Sequence, residues 1–239
     1  MLIRLLVGIM VCICCLVLAQ GVIEHFVGKK YFAEGTLLYI VFSSLILHGS
    51  IILVTALFLW RYRIKWSEAF GFANSPILGA LFTGALVAIV FLPAGMVLQE
   101  ISYQMLTWSH IPTPTQVAVD EFNKSTSFAG RAYLALFAIF IAPLGEEILF
   151  RGLLFPTIKQ MGYPRLALWL SAILWAAIHL NSVIFLPLVV LGLVFAWLYE
   201  RTNNLLAPIA AHGVFNAINV VLLSYGDYLE HLLDQHLHH

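Results

Sequence analysis

The sequence predicts an all-α protein, a polytopic transmembrane helical bundle of about seven or eight spans. Of its 239 residues, 62% are hydrophobic and only 10% are charged, and the mean hydropathy is +0.94. A soluble domain carries about 25% charged residues, so this chain has too few charges to cover a surface in water. Its apolar residues form long runs separated by short polar clusters, which is typical of helices that cross a bilayer. These observations exclude a soluble enzyme, a disordered chain and, because the formal net charge is +0 and no basic patch is present, a nucleic-acid-binding protein.

Seven segments approach the roughly 20 apolar residues that a transmembrane helix needs. In chain order they are 5–23, 36–60, 76–98, 131–158, 165–181, 183–200 and 205–223. The first also resembles a signal peptide cleaved after residue 19, but its apolar run continues to Ile23 and favours a retained helix. Ile101–Trp108 either extends the third span or forms an interfacial piece.

The remaining segments give the chain its predicted organisation. N-terminal transmembrane helices and a long loop at about 99–130 make up residues 1–130, and a short surface helix is expected near Gln116. A helical core follows over 131–223, and 224–239 is expected to be a solvated tail.

Positive charges predict the orientation, since cytoplasmic connections are enriched in Lys and Arg. With the N-terminus inside, the inner side holds Arg4, Arg61, Arg63, Lys65, Lys159, Arg165 and Arg201, and the outer side holds Lys29, Lys30, Lys124 and Arg131. We therefore expect the N-terminus inside and the C-terminus outside. The three cysteines, Cys12, Cys14 and Cys15, share one apolar run, so they indicate neither a disulfide framework nor a zinc site. An uncleaved multi-span chain with few cysteines suits a prokaryotic cytoplasmic membrane.

The fourth span contains charges where lipid is expected. Glu146, Glu147 and Arg151 lie within the apolar segment 142–155. An ionisable group at the centre of a membrane helix costs at least ~2.5–3.5 kcal/mol, so such a cluster is a functional hypothesis by default. Glu147 and Arg151 are four residues apart and can form an ion pair within the helix. Glu146 is rotated by about 100° and can face another helix.

Spacing predicts that polar groups on three helices meet at one depth. Glu146 lies 17 residues before Tyr163 in a predicted turn, and His179 lies 16 residues after it. If both arms are helical, the two side chains are at nearly equal height in a helical hairpin. His212 and Asn216, four residues apart early in the last span, share one helix face at a similar depth.

A carboxylate and imidazoles in a partly dry cavity can activate water to attack an amide, and two versions are open. In one, Glu146, His179 and His212 bind a catalytic zinc whose fourth position carries the water. In the other no cofactor is needed: Glu146 acts as general base with His179, and His212 and Asn216 donate to the oxyanion. The H-E-x-x-H motif is absent, and an amide suits an oxyanion better than zinc, so the residues favour the metal-free version.

These residues resemble the three motifs of the CPBP family, the CAAX-protease and bacteriocin-processing (Abi) group of intramembrane endopeptidases. The motifs are Glu146-Glu147-x-x-x-Arg151, an aromatic-x-x-x-His from Trp175 to His179, and His212-x-x-x-Asn216. The resemblance covers about residues 131–223 and departs at Trp175, where the family usually has Phe. It implies hydrolysis of a peptide bond within the membrane, by a mechanism that depends either on a glutamate or on a metal ion. The implied substrate is a peptide or protein near the membrane, and CAAX-type substrates carry a lipid modification. It also implies that Glu146 and His179 activate water, that His212 and Asn216 stabilise the oxyanion, and that Glu147 and Arg151 complete the first motif.

Other interpretations stay open. The same buried acids could serve an ion-coupled transporter, although no inverted repeat is visible. A non-catalytic immunity or scaffold protein could keep the motifs without turnover. His25 and His48 are interpreted as structural, and the C-terminal histidines His231, His236, His238 and His239 as part of the solvated tail. The sequence does not determine the oligomeric state.

Overall fold

The computed structural model describes residues 2–32, 36–113, 115–125 and 127–237, and the regular structure within these ranges is helical. The helices are α1 (Leu2–Val27), α2 (Leu37–Tyr62), α3 (Trp66–Phe70), α4 (Ile77–Trp108), α5 (Val117–Lys124), α6 (Phe128–Gln160), α7 (Pro164–Ala177), α8 (Ser182–Thr202) and α9 (Leu206–Leu237), with a 3₁₀ turn at Lys29–Phe32. Two stretches of α6, Phe137–Ile141 and Ile148–Leu154, are π-helical.

Six helices of the described chain are long and apolar enough to cross a membrane: α1, α2, α4, α6, α8 and α9. The predicted polytopic helical bundle is therefore confirmed. The prediction of a full span over 165–181 is wrong, because α7 has only 14 residues and ends at Ala177. The chain turns at Leu180, whose φ is +49°, and the side chain of Asn181 then accepts hydrogen bonds from the backbone of Val183 and Ile184 to begin α8.

The bounds of two further predicted segments change. Helix α4 continues without a break to Trp108, so Ile101–Trp108 extends the third span and the connection predicted over 99–130 begins ten residues later, at Ser109. That connection contains α5, close to the short helix predicted near Gln116. Helix α9 continues through most of the predicted tail to Leu237. The predictions about the four C-terminal histidines lie outside the side chains that the structure describes.

The core of the bundle lies where α4 packs along α9 and where α8 packs against both α4 and α7. Ala80, Gly84 and Ala88 form a stripe of small residues that faces α9. A Cβ atom at Gly84 would lie only 2.2 Å from the carbonyl oxygen of Ala207, so glycine is required for this close approach. Small residues allow membrane helices to gain packing contacts between their backbones. Helix α6 packs against α2, α7 and α9 in this bundle, while α1 packs mainly on α2.

Three connections meet at one end of the bundle. The backbone N–H of Leu205, between α8 and α9, donates to the carbonyl oxygen of Phe70 at the end of α3 (3.0 Å). The amide of Asn204 donates to the hydroxyl of Ser75 (3.0 Å), and Lys159 at the end of α6 forms an ion pair with Glu200 at the end of α8. These contacts bring together most of the positively charged connections that the sequence predicts to be cytoplasmic.

Candidate active site

The two acids of the first motif lie on one α-helical turn of α6, Ala142–Glu147, between the two π-helical stretches. A π stretch adds residues to a helical turn and is often found at functional sites. Glu146 is 7% exposed and Glu147 is fully buried. Two adjacent carboxyl groups are thus placed inside the bundle, where each needs its own partners.

Glu147 and Arg151 form the predicted ion pair, with 2.9 Å between Oε1 and Nη1 and no exposed side-chain surface on either residue. The guanidinium also donates to the carbonyl oxygen of Gly192 on α8 (3.1 Å). Its central carbon lies 4.8 Å from the ring centre of Trp175 and 5.3 Å from that of Phe195. Aromatic faces and a carbonyl thus surround a fully desolvated cation, while Nε of Arg151 and Oε2 of Glu147 have no hydrogen-bond partner among the described residues.

His212 on α9 contacts both acids. Its Nδ1 lies 3.1 Å from Oε1 of Glu147, and its Nε2 lies 3.9 Å from Oε2 of Glu146. A carboxylate oxygen only accepts, so Nδ1 carries the hydrogen and Nε2 faces Glu146. The Phe195 ring stacks on the imidazole at 5.3 Å and fixes its plane. Glu147 thereby orients His212, as buried carboxylates orient histidines in many active sites.

Glu146 is joined to α7 by Trp175, whose indole N–H donates to Oε2 over 2.6 Å. Trp175 is 1% exposed, and its ring also meets the rings of His179 and His212 edge-on at 5.1 and 5.2 Å. A phenylalanine, usual at this position of the motif, has no hydrogen-bond donor. The departure at Trp175 therefore changes the chemistry as well as the shape of the site.

His179 lies just beyond the end of α7 and is half-buried. Its Nδ1 is 2.9 Å from the carbonyl oxygen of Trp175, which only accepts, so Nδ1 carries a hydrogen and the lone pair of a neutral ring is on Nε2. Glu146 and His179 lie in one layer of the bundle, as the spacing predicts. They are not hydrogen-bonded to each other: each is hydrogen-bonded to Trp175, Glu146 to its indole and His179 to its carbonyl oxygen.

Asn216 follows His212 by one helical turn, and its amide donates to the carbonyl oxygen of Ala138 over 2.7 Å. Ala138 lies in the first π stretch of α6, where the altered helix register leaves carbonyl groups for side chains to satisfy. The amide of Asn216 therefore ties α9 to α6 and keeps a second hydrogen for another acceptor.

His48, interpreted from the sequence as structural, contacts the cluster around Glu146. Its Nε2 lies 3.1 Å from Oε1 of Glu146. The sequence carried a signal for this contact: His48 is an ionisable residue inside the predicted span 36–60, and such residues usually face the interior of the bundle. The distance of 98 residues along the chain gave no means of pairing it with Glu146.

The zinc alternative would take its ligands from Glu146, His179 and His212. Within the described ranges, no three His, Cys, Asp or Glu side chains are grouped as metal ligands. Oε2 of Glu146 accepts from an indole that cannot bind metal, and Nδ1 of His212 is directed at Glu147. Hydrogen bonds and ring contacts, most of them through Trp175, connect Glu146, His179 and His212.

Comparisons with known proteins identify relatives of part of the chain. Residues 128–218 match the family model described as type II CAAX prenyl endopeptidase Rce1-like. The chain is 32% identical over 77 residues to UPF0177 protein YxdF of Lactococcus lactis, covering 32% of this chain and 42% of that protein. It is 29% identical over 82 residues to a Bacillus subtilis protein named "Putative membrane peptidase YdiL", covering 34% of each.

The matches extend over less than half the length of these curated relatives. No solved structure matches the chain significantly. The matched segment contains Glu146, Trp175, His179, His212 and Asn216. The resemblance to the CPBP family is therefore confirmed.

Proposed function

Because residues 128–218 are related to the membrane CAAX-type proteases, we propose that this protein is an intramembrane endopeptidase that uses a water molecule activated by Glu146 and His179. The observation that carries the proposal is the placement of the Glu146 carboxyl group, 7% exposed, in contact with side chains from α2, α7 and α9. A general base needs a defined orientation and access to water: the contacts provide the orientation, and the exposed 7% of Glu146 leaves room for access.

In the first step, water bound beside Glu146 loses a proton to the Glu146 and His179 pair, and its oxygen adds to the carbonyl carbon of the scissile peptide bond. Nε2 of His179 suits this role because its Nδ1–H is held by the carbonyl oxygen of Trp175. Burial of the site strengthens the electrostatic interactions that such a proton transfer requires.

In the second step, the tetrahedral intermediate carries negative charge on the former carbonyl oxygen. His212 donates to it through Nε2 when both ring nitrogens are protonated, while the Glu147 carboxylate holds Nδ1 on the other side of the ring. The second amide hydrogen of Asn216 is the other proposed donor. The intermediate then collapses, the C–N bond breaks, and the proton taken from water passes to the leaving amine. Donors at the oxyanion position are each worth about 10²–10³-fold in kcat.

The proposed substrate is a peptide or protein that reaches the site from the membrane. The described chain has six candidate membrane spans, and Glu146 and Glu147 lie well inside one of them, α6. The family description names prenyl endopeptidases of CAAX sequences, so a substrate with a lipid-modified C-terminal cysteine is the first to test. Lipid modification would concentrate the substrate at the membrane.

The test compares the wild-type protein with Glu146→Gln in liposomes, using prenylated and unprenylated CAAX peptides and mass spectrometry of the products. Glu146→Gln keeps the size of the side chain but removes the base, and we expect kcat to fall by about 10²–10⁴-fold. Glu200→Gln, at the exposed ion pair with Lys159, is the matched control and should keep wild-type activity.

A chelator should leave the rate unchanged, because the proposal uses no metal. Absence of cleavage by the wild-type protein, or equal cleavage by Glu146→Gln, would contradict the proposed function. Loss of cleavage on chelation would reject the metal-free mechanism.

A further inference from the structure

His48 reaches the site from α2, which lies outside the segment that matches the protease family. Its side chain is 13% exposed, and its Cβ passes close to α6: a Cβ atom built at Gly145 would lie 3.3 Å from it. The absence of a side chain at Gly145 lets the imidazole approach the neighbouring Glu146. The N-terminal helices thus contribute a polar group to a site whose other members lie in the C-terminal half of the chain.

The hydrogen bonds of His48 define which atoms carry protons. Nδ1 lies 3.2 Å from the backbone carbonyl oxygen of Ser44, which can only accept, so Nδ1 carries a hydrogen. Nε2 then lies 3.1 Å from Oε1 of Glu146, and a hydrogen bond over this distance requires one proton between the two atoms. A hydrogen bond therefore links the imidazole of His48 to the carboxyl group of Glu146.

The imidazole is held on several sides. Phe137, in the first π stretch of α6, meets the ring edge-on at 5.0 Å. The hydroxyl groups of Ser44 and Tyr133 are 2.7 Å apart, and Tyr133 stacks on Phe137. These contacts connect α2 to α6 around His48, so the ring has little freedom to leave Glu146.

We propose that His48 is a positioning residue that, together with Trp175, fixes the carboxyl plane of Glu146 for water activation. His48 holds Oε1 and the indole of Trp175 holds Oε2, so both oxygens of the general base are fixed from opposite helices. Oε2 is thereby kept on the side of His212. This role rests on the proposed function, because fixing the Glu146 carboxyl group affects the reaction only if Glu146 is the general base.

The kinetic test compares His48→Leu with His48→Gln. Leucine removes the hydrogen bond, and we expect kcat to fall on the order of 10–100-fold with KM unchanged, which is typical of groups that orient a catalytic residue. The amide of glutamine can still donate to Oε1 of Glu146 and should restore most of the lost kcat. His25→Leu, at an exposed histidine of α1, is the matched control and should behave as wild type.

Wild-type kcat in His48→Leu, or an increase in KM alone, would overturn the proposal while leaving the role of Glu146 intact. A thermal-unfolding cycle of His48→Leu, Glu146→Gln and the double variant tests the contact without activity. We expect the double variant to lose less than the sum of the two single shifts in unfolding temperature, because the residues are coupled. Additive shifts would overturn the contact. An absence of cleavage by the wild-type protein would contradict the proposed function and with it the positioning role, whereas the unfolding cycle would still decide whether His48 and Glu146 are coupled.

Discussion

Each acid of the Glu146-Glu147 pair has its own environment, although the two residues are adjacent. Glu147 faces Arg151 and His212 and is fully buried, whereas Glu146 faces His48 and Trp175 and keeps 7% of its surface exposed. The rotation of about 100° between neighbouring helix positions separates their directions. The Glu147 carboxylate is therefore suited to neutralise a buried cation and orient a histidine, and the Glu146 carboxyl group is the one proposed to take part in the reaction.

Arg151→Met should destabilise the protein strongly, because it leaves the negative charge of Glu147 buried without the guanidinium that neutralises it and with His212 as its remaining polar contact. Breaking a buried ion pair by removing one partner costs about 3–5 kcal/mol of the free energy of unfolding. Chemical denaturation in detergent micelles measures this loss. The double variant Glu147→Gln/Arg151→Met should lose less than Arg151→Met, because it removes both charges.

Lys159→Met at the exposed Lys159–Glu200 pair is the control and should change the free energy of unfolding by less than about 1 kcal/mol. Equal losses for the buried and the exposed pair would show that Arg151 does not stabilise the bundle through its charge.

Among the helices, α6 carries the first motif and α4 supports the helix that carries the third. The π stretches at Phe137–Ile141 and Ile148–Leu154 bracket the acids, and the first supplies the carbonyl oxygen that Asn216 binds. Helix α4 contains no site residue, but its small residues let α9 pack closely enough to place His212. The sequence pattern identifies α4 as a membrane span but does not show which helix it packs against.

Gly84→Ala should separate α4 from α9. Its Cβ would lie 2.2 Å from the carbonyl oxygen of Ala207 and 2.9 Å from the backbone nitrogen of Ala211, and backbone atoms can relieve such contacts only if the helices move apart. We expect the free energy of unfolding to fall by about 1–3 kcal/mol, as for other overpacked cores. Peptidase activity should fall with it, since His212 lies on the displaced helix.

The comparison for this variant is Gly79→Ala on the same helix, where the nearest atom to an added Cβ is 4.0 Å away. Its free energy of unfolding should remain within about 0.5 kcal/mol of wild type. Equal behaviour of the two variants would contradict the close α4–α9 contact.

For the molecule as a whole, the bundle gathers connections of like charge at one end. The loops after α3 and α8 are hydrogen-bonded to each other, and the ends of α6 and α8 are joined by the Lys159–Glu200 pair. The connection that follows α4 begins at Ser109, after a 32-residue helix that starts at this end. The positive-charge bias predicts that the gathered end is cytoplasmic.

Single cysteines test this orientation in a chain whose Cys12, Cys14 and Cys15 are replaced by serine. In intact cells, a membrane-impermeant maleimide should label Ser109→Cys, whereas Gln160→Cys should react only after permeabilisation. Both positions are exposed, so a difference in labelling reports the side of the membrane. The reverse pattern would contradict the predicted N-inside orientation.

The sequence by itself determined the helical membrane class and most of the spans, and it singled out the motif residues Glu146, Trp175, His179 and His212 of the cluster that His48 also joins. These properties follow from local quantities: apolar run length, the cost of charge in lipid, and the four-residue spacing that pairs Glu147 with Arg151. The tertiary structure decided which helices are neighbours. It placed His48 against Glu146, put the indole of Trp175 between Glu146 and His179, and directed the amide of Asn216 to Ala138. Such contacts depend on how each helix is rotated and on how closely small residues let it approach, and neither is encoded in the spacing of residues along one helix.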